Sequence, residues 1–287
     1  MAYTRKRVTE VGKELSMAVA ILWLPGFGQA GKRSSQAITD LLRRAGSVPK
    51  GIELLLRAGH RDEAAYLCDD ARWAEVERWH AEGRFLTWCD EGYPARWTAW
   101  RFAPPALWRE GTIAAADWVA GVGSRHITEE TREFCQRVGA QAASLGHGLI
   151  SGAAEGCDRA LLAGARDAGG PTLAILPRGL QEGDGGQADC VLSARPRGEP
   201  FSTAAAMERN ALIYAASELA FIGHARLRQG GTWHGATDAL RRHLCRLAIP
   251  PPGEEPGLRA LAALGASALN SASDLETLLR RSPASLF

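Results

Sequence analysis

Two glycine-rich turns, each placed where a strand would hand over to a helix, constrain this chain more than any other feature. The first is Gly121-Val122-Gly123-Ser124-Arg125, reached through an apolar run that starts at Trp118. The second is Ser151-Gly152-Ala153-Ala154-Glu155-Gly156-Cys157-Asp158, reached through Leu149-Ile150. Turns of this kind point bare backbone N–H groups at anions. Both would leave the carboxyl edge of a parallel sheet, the edge at which open α/β folds bind ligands. The expectation is a phosphate-binding edge.

The pattern around these turns alternates between strand and helix. Strand signals at 119–122, 148–150 and 172–176 are separated by helical stretches at 128–145 and 158–168. That succession is a βαβαβ unit. A glycine-rich stretch from 179 to 200 reads as a loop. Beyond it, a helix at 204–216, a strand at 219–222, a helix at 232–244 and a strand at 246–249 extend the sheet. Helices at 258–264 and 274–279 close the chain around a short strand near Ala268. The right-handed crossover rule makes this an α/β fold, a Rossmann-like doubly wound and mostly parallel sheet.

Ahead of it the period is helical. Ile38, Leu41, Leu42 and Ala45 share one face, as do Ile52, Leu55 and Leu56, with stops at Gly46 and Gly59. The expected organisation is a flexible polar tail at 1–16, with Met17 as the functional start, a small helical domain at 17–84, and the Rossmann-like domain at 85–287. The last includes an aromatic connector at 85–117. Its tryptophans Trp88, Trp97, Trp100 and Trp108 read as packing between the parts, with base stacking on an exposed indole as the alternative. Leu24-Pro25-Gly26-Phe27-Gly28 reads as an interhelical turn and resembles the turn of a helix-hairpin-helix motif.

Composition narrows the chemistry. A formal net charge of +2 over 287 residues leaves any polyanion site to local clustering of cations and backbone dipoles. Six cysteines without a C-x-x-C pair fit neither a zinc ribbon nor a disulfide scaffold, and read as reduced cytosolic thiols. No apolar stretch is long enough to span a bilayer. The glycine pattern lacks the third glycine of a dinucleotide fingerprint, with His126 in its place, so a nicotinamide cofactor is disfavoured. Ser151 is out of register for a G-x-S-x-G nucleophile, and His126, His224 and His234 have no metal-ligand spacing. No catalytic residue, metal or cofactor is expected.

What remains is a rim of cations and amides. Gly123, Ser124 and Arg125 follow the first strand, Ser151 and Gly152 the second. Arg209 and Asn210 lie early on a helix, and Gly230-Gly231-Thr232 opens another. Asp158 begins the helix after the second turn and reads as a cap for its amides.

Gly123-Ser124-Arg125, the S-G-x-A-x-G-x-D run from Ser151 to Asp158, and Arg209-Asn210, in that order, resemble the DNA-processing protein A (DprA/Smf) family. Tyr93-Pro94 and the stretch from Pro105 to Gly111 resemble the segment that precedes that family's Rossmann domain. The resemblance implies a non-catalytic single-stranded DNA-binding protein that protects incoming DNA, assists loading of the RecA recombinase in transformation or recombination, and forms a homodimer. It assigns the DNA-phosphate pocket to Ser124, Arg125, Ser151, Gly152 and Arg209, with Asn210 orienting its neighbours. The chain departs from the family at Ala211, where a second arginine is usual, and at Gly230-Gly231-Thr232, where a serine-glycine-serine turn is usual.

Two other functions share such an edge. The same glycine-threonine turn occurs in phosphoribohydrolases of the lysine-decarboxylase-like type, but the glutamate those enzymes use is missing from Trp233 to Asp238. A nucleotide-sensing module of a defence system would place a small phosphorylated ligand at the same turns.

Overall fold

A computed structural model describes residues 2–24 and 36–280. The glycine turns sit where the alternating pattern puts them. Strand β3 (Trp118–Val122) leads through the first turn to α7 (Glu129–Ser144), and β4 (Gly148–Ser151) through the second to α8 (Cys157–Asp167). Next come β5 (Thr172–Leu176), β6 (Cys190–Ser193), α9 (Thr203–Ala215), β7 (Ser217–Ile222), α10 (Gly230–Arg241) and β8 (Arg246–Ile249). The chain continues with α11 (Pro256–Ala263), β9 (Ser267–Ala268) and α12 (Asp274–Arg280). Before them lie α1 (Ala2–Trp23), α2 (Gln36–Ala45), α3 (Val48–Arg57), α4 (Arg61–Tyr66), α5 (Asp70–Ala81), β1 (Phe85–Thr87), α6 (Ala95–Ala99) and β2 (Ala106–Gly111).

Among the described residues nine strands form one sheet in the order β1-β2-β6-β5-β4-β3-β7-β8-β9, parallel except where β1 pairs β2 and β2 pairs β6. β3 lies between β4 and β7, so the winding direction reverses beside it. This is the switch point at which doubly wound sheets open a crevice.

Side-chain alternation along each strand divides the interior into two layers. Val119, Leu149, Ala174 and Phe221 pack against Cys135 and Val138 of α7 and Leu161 of α8, a core that continues into Met17, Leu42 and Leu55 of the N-terminal helices. Ala120, Ile150, Ile175 and Ile222 point the other way, onto Leu212 and Ile213 of α9 and Trp233 and Ala236 of α10. The close approach of α7 to α8 depends on absent side chains. A Cβ on Gly139 or Gly164 would run into the backbone carbonyl of Leu161 or Gln136 on the facing helix.

Several features depart from the expectations. The polar residues expected as a tail run into the apolar segment as part of α1. Most of the turn at Leu24-Pro25-Gly26-Phe27-Gly28 lies outside the described residues. The stretch from 179 to 200 contains β6, whose run Val191-Leu192 is buried between β5 and β2. The loop leading to it is pinned by Arg178, which donates to both carboxylate oxygens of Asp184 at 2.7 and 2.8 Å. The connector also supplies β1 and β2. Its indoles Trp97 and Trp108 are buried, Trp97 Nε1 donating to the Leu212 carbonyl at 2.9 Å and Trp108 meeting Trp79 edge-on at 4.8 Å. No helix among the described residues is long and apolar enough to cross a membrane.

Candidate nucleic-acid interface

The two glycine turns are packed into each other. A Cβ on Gly123 would collide with the side chain of Cys157. Gly156, at φ +83°, leaves no room for one against the carbonyls of Ser124 and Arg125. The Cys157 amide donates to the Ser124 carbonyl at 3.2 Å. Asp158 fastens the arrangement, its Oδ1 accepting from the Gly123 amide at 3.0 Å and its Oδ2 from the Ala154 amide at 3.3 Å. The expected cap is therefore a clamp. The helix N-cap is Gly156, and the Asp158 carboxylate turns back across both loops instead of serving the amides of its own helix.

Ser151 and Gly152 lie beneath this layer. Parallel pairing sets Ser151 opposite Gly121, and its buried hydroxyl donates to the Gly121 carbonyl at 2.6 Å. The expected phosphate contact by Ser151 does not fit that geometry, because the single proton of the hydroxyl is already committed inside the protein. Gly152 is also buried, and its missing side chain makes room for Arg209. A Cβ there would stand 2.6 Å from Cζ of Arg209 and 2.8 Å from Oδ2 of Asp158.

Arg209 is carried by α9, which Ser202 caps through its hydroxyl at 3.1 Å from the Ala205 amide. Its Nη1 donates to the Ile175 carbonyl at 2.8 Å, while the buried Nε has no hydrogen-bond partner among the described residues. Burial lowers the guanidinium pKa and the Asp158 charge opposes that fall. The group remains a cation. Burial pushes the Asp158 carboxyl up to about 6, with the Arg209 charge and the amides of Ala154, Gly123 and Gly152 offsetting part of the rise. A buried arginine with an unsatisfied donor beside a carboxyl displaced toward neutrality favours an added anion.

Above this base is a cavity of about 550 Å³ at the switch point. Gly123, Ser124 and Arg125 form one wall and Arg209 and Asn210 another, with Gly230, Gly231 and Thr232 at the start of α10 forming a third. Asn210 joins the last two, its Nδ2 donating to the Gly231 carbonyl at 3.3 Å. No side chain caps α10, so its first amides stay open to the cavity. Arg125, Arg209 and Arg226 line the cavity, against Asp158 as the sole lining carboxylate among the described residues. In a chain of net charge +2 this is a local concentration of positive charge.

The sequence offered no motif for several participants. Arg226 and Gln229 come from the loop after β7, Phe201 from the approach to α9 and Tyr214 from its last turn. His224, whose sequence position showed no metal-ligand spacing, holds Ser124: its Nδ1 lies 2.7 Å from the Ser124 hydroxyl, and its Nε2 is 3.4 Å from Oε2 of Glu255. Among the described residues no group of three or more His, Cys, Asp or Glu side chains is arranged to hold a metal ion.

Residues 84–280 match the family model of DNA recombination-mediator protein A. The chain belongs to this family. Among solved structures similar to it is DNA processing protein A from Streptococcus pneumoniae, with 18% identity, coverage of 94% of this chain and 96% of that one, and a TM-score of 0.61. Another is DNA processing protein A from Helicobacter pylori, described for its single-stranded DNA binding mode, with 18% identity, coverage of 69% and 96%, and a TM-score of 0.57. At these identities the likeness is one of fold. No curated protein sequence matches the chain significantly. For the DNA recombination-mediator protein A family, the match places β3, β4, β7 and the three walls of the cavity inside the family's own span.

Proposed function

We propose that this protein binds single-stranded DNA through its phosphates, without base preference and without cutting it. The observation that carries the reading is the cavity at the switch point, where Arg125, Arg209 and Arg226 and the open amides of α10 surround one clamped carboxylate. Arginine forks and helix N-termini suit phosphate oxygens, and contacts of this kind position a strand without reading its sequence. Membership of the recombination-mediator family supports this reading. The same reading includes assistance to the RecA recombinase, a homodimer as the working unit, and action in the cytoplasm.

A non-catalytic role is supported by the state of Asp158. Its two oxygens accept from the Gly123 and Ala154 amides, and the Arg209 charge lies close by, so it is not free to shuttle a proton to a glycosidic bond. The test uses fluorescence anisotropy with labelled homopolymeric and mixed-sequence oligonucleotides, beside incubation with AMP followed by chromatography. Comparable affinity for all sequences and intact AMP are expected. Strong preference for one base, or steady release of adenine, would overturn the reading.

A further inference from the structure

A second cleft opens off the phosphate cavity and shares Met207, Arg209 and His234 with it as a common wall. It holds about 910 Å³ and runs between α9 and α10 toward the connector. His234, Thr237 and Arg241 recur along its α10 side at helical spacing, and its far end is aromatic. There Phe102 is 64% exposed and meets Trp100 edge-on at 6.1 Å, in contrast to the buried Trp97 and Trp108 of the same connector. Arg242 lies over both rings, 5.7 Å from the Trp100 centroid and 5.6 Å from that of Phe102, and is held by Asp238 at 3.1 Å.

We propose that this cleft is a nucleobase subsite, in which Trp100 and Phe102 stack unpaired bases of a strand whose phosphate sits in the neighbouring cavity. The proposal rests on the single-stranded DNA reading and extends it. Phe102 is exposed and Trp100 half-buried beside a cation at the end of the cleft, and sequence-tolerant stacking is the use that fits a strand of any composition. Charge selects a polyanion over an apolar peptide as occupant. Arg195, Arg209, Arg241 and Arg242 line the cleft against Glu208 and Asp238 among the described residues. The shared wall lets one strand reach both places without leaving a positively charged surface.

The test compares an oligothymidylate with an abasic oligonucleotide of equal length, which keeps the phosphates and lacks the bases, and with a short oligothymidylate. The wild-type protein is expected to bind the long thymidylate more tightly than the abasic strand. Phe102→Ala, at an exposed position that leaves packing intact, is expected to reduce that advantage about tenfold while leaving abasic and short-oligonucleotide affinities unchanged. Phe102→Tyr, which keeps the ring, is expected to retain it. Equal binding of thymidylate and abasic strands by the wild type, or an unchanged advantage in both Phe102→Ala and Trp100→Ala, would overturn the subsite and leave phosphate binding standing; the second result would return the cleft to a peptide or another occupant. Failure of every oligonucleotide to bind would overturn both readings together.

Discussion

The carboxylate of Asp158 and the guanidinium of Arg209 both abut the backbone of Gly152, which lacks the side chain that would separate either from it. An acid on the helix after the second glycine turn and a guanidinium on α9 thus share one buried floor, and Asp158 cannot move aside without opening its clamp on Gly123.

Gly152→Ala is therefore expected to displace Arg209 or Asp158. Overpacking at such a site destabilises by about 1–3 kcal/mol. Thermal denaturation should show the loss of stability, and anisotropy should show weakened oligonucleotide binding. An alanine variant with unchanged melting and affinity would contradict the packing described for this floor.

Asp158 makes stability depend on pH in a defined direction. Its carboxyl is raised by burial from 3.8 to about 6, so the folded protein holds this proton more tightly than the unfolded chain. Its contribution is intact below about pH 4 and is lost as pH rises toward 6, by roughly 3 kcal/mol. Asp158→Asn removes the titration. Urea denaturation of both proteins across this window should show the variant gaining stability relative to the wild type as pH rises. A difference that stays flat, or falls, would contradict the raised carboxyl.

Ser151→Ala separates a supporting hydroxyl from a phosphate ligand. The substitution removes the buried bond from the Ser151 hydroxyl to the Gly121 carbonyl and is expected to cost about 1–2 kcal/mol of stability. The slope of log affinity against log salt should not change. A shallower slope would return Ser151 to the ligand-binding surface.

His224→Ala frees the Ser124 hydroxyl from Nδ1, while the carbonyl of residue 224 still receives the Ser124 amide at 3.0 Å. With the turn kept and the hydroxyl left with only its 3.2 Å bond to the carbonyl of residue 224, oligonucleotide affinity is expected to fall about fivefold, the worth of roughly one hydrogen bond. Unchanged affinity would show that Ser124 needs no orientation from this imidazole.

The sheet was legible where apolar runs end in glycine, as at β3 and β4, because a strand-to-helix turn that packs against another backbone has few other solutions. β6 was not, since Val191-Leu192 is too short a run to stand out from the glycines and charges around it. β1 and β2 were hidden by the tryptophans and prolines of the connector. At the site, sequence order located the turns but not the direction of each side chain. The register that places Ser151 opposite Gly121 turns its hydroxyl inward, and the burial of Arg209 follows from the missing Cβ of Gly152, a residue far away in the chain. His224 carries no motif, so its hold on Ser124 needed the pairing of β3 with β7 to become visible.

The most direct test of a phosphate grip at this cavity is the salt dependence of oligothymidylate binding by the wild type and by Arg125→Ala. Affinity should fall steeply with salt for the wild type. Arg125→Ala should bind every sequence more weakly and show a slope smaller by about one counterion. Binding that ignores salt, or an Arg125→Ala slope identical to that of the wild type, would contradict the account.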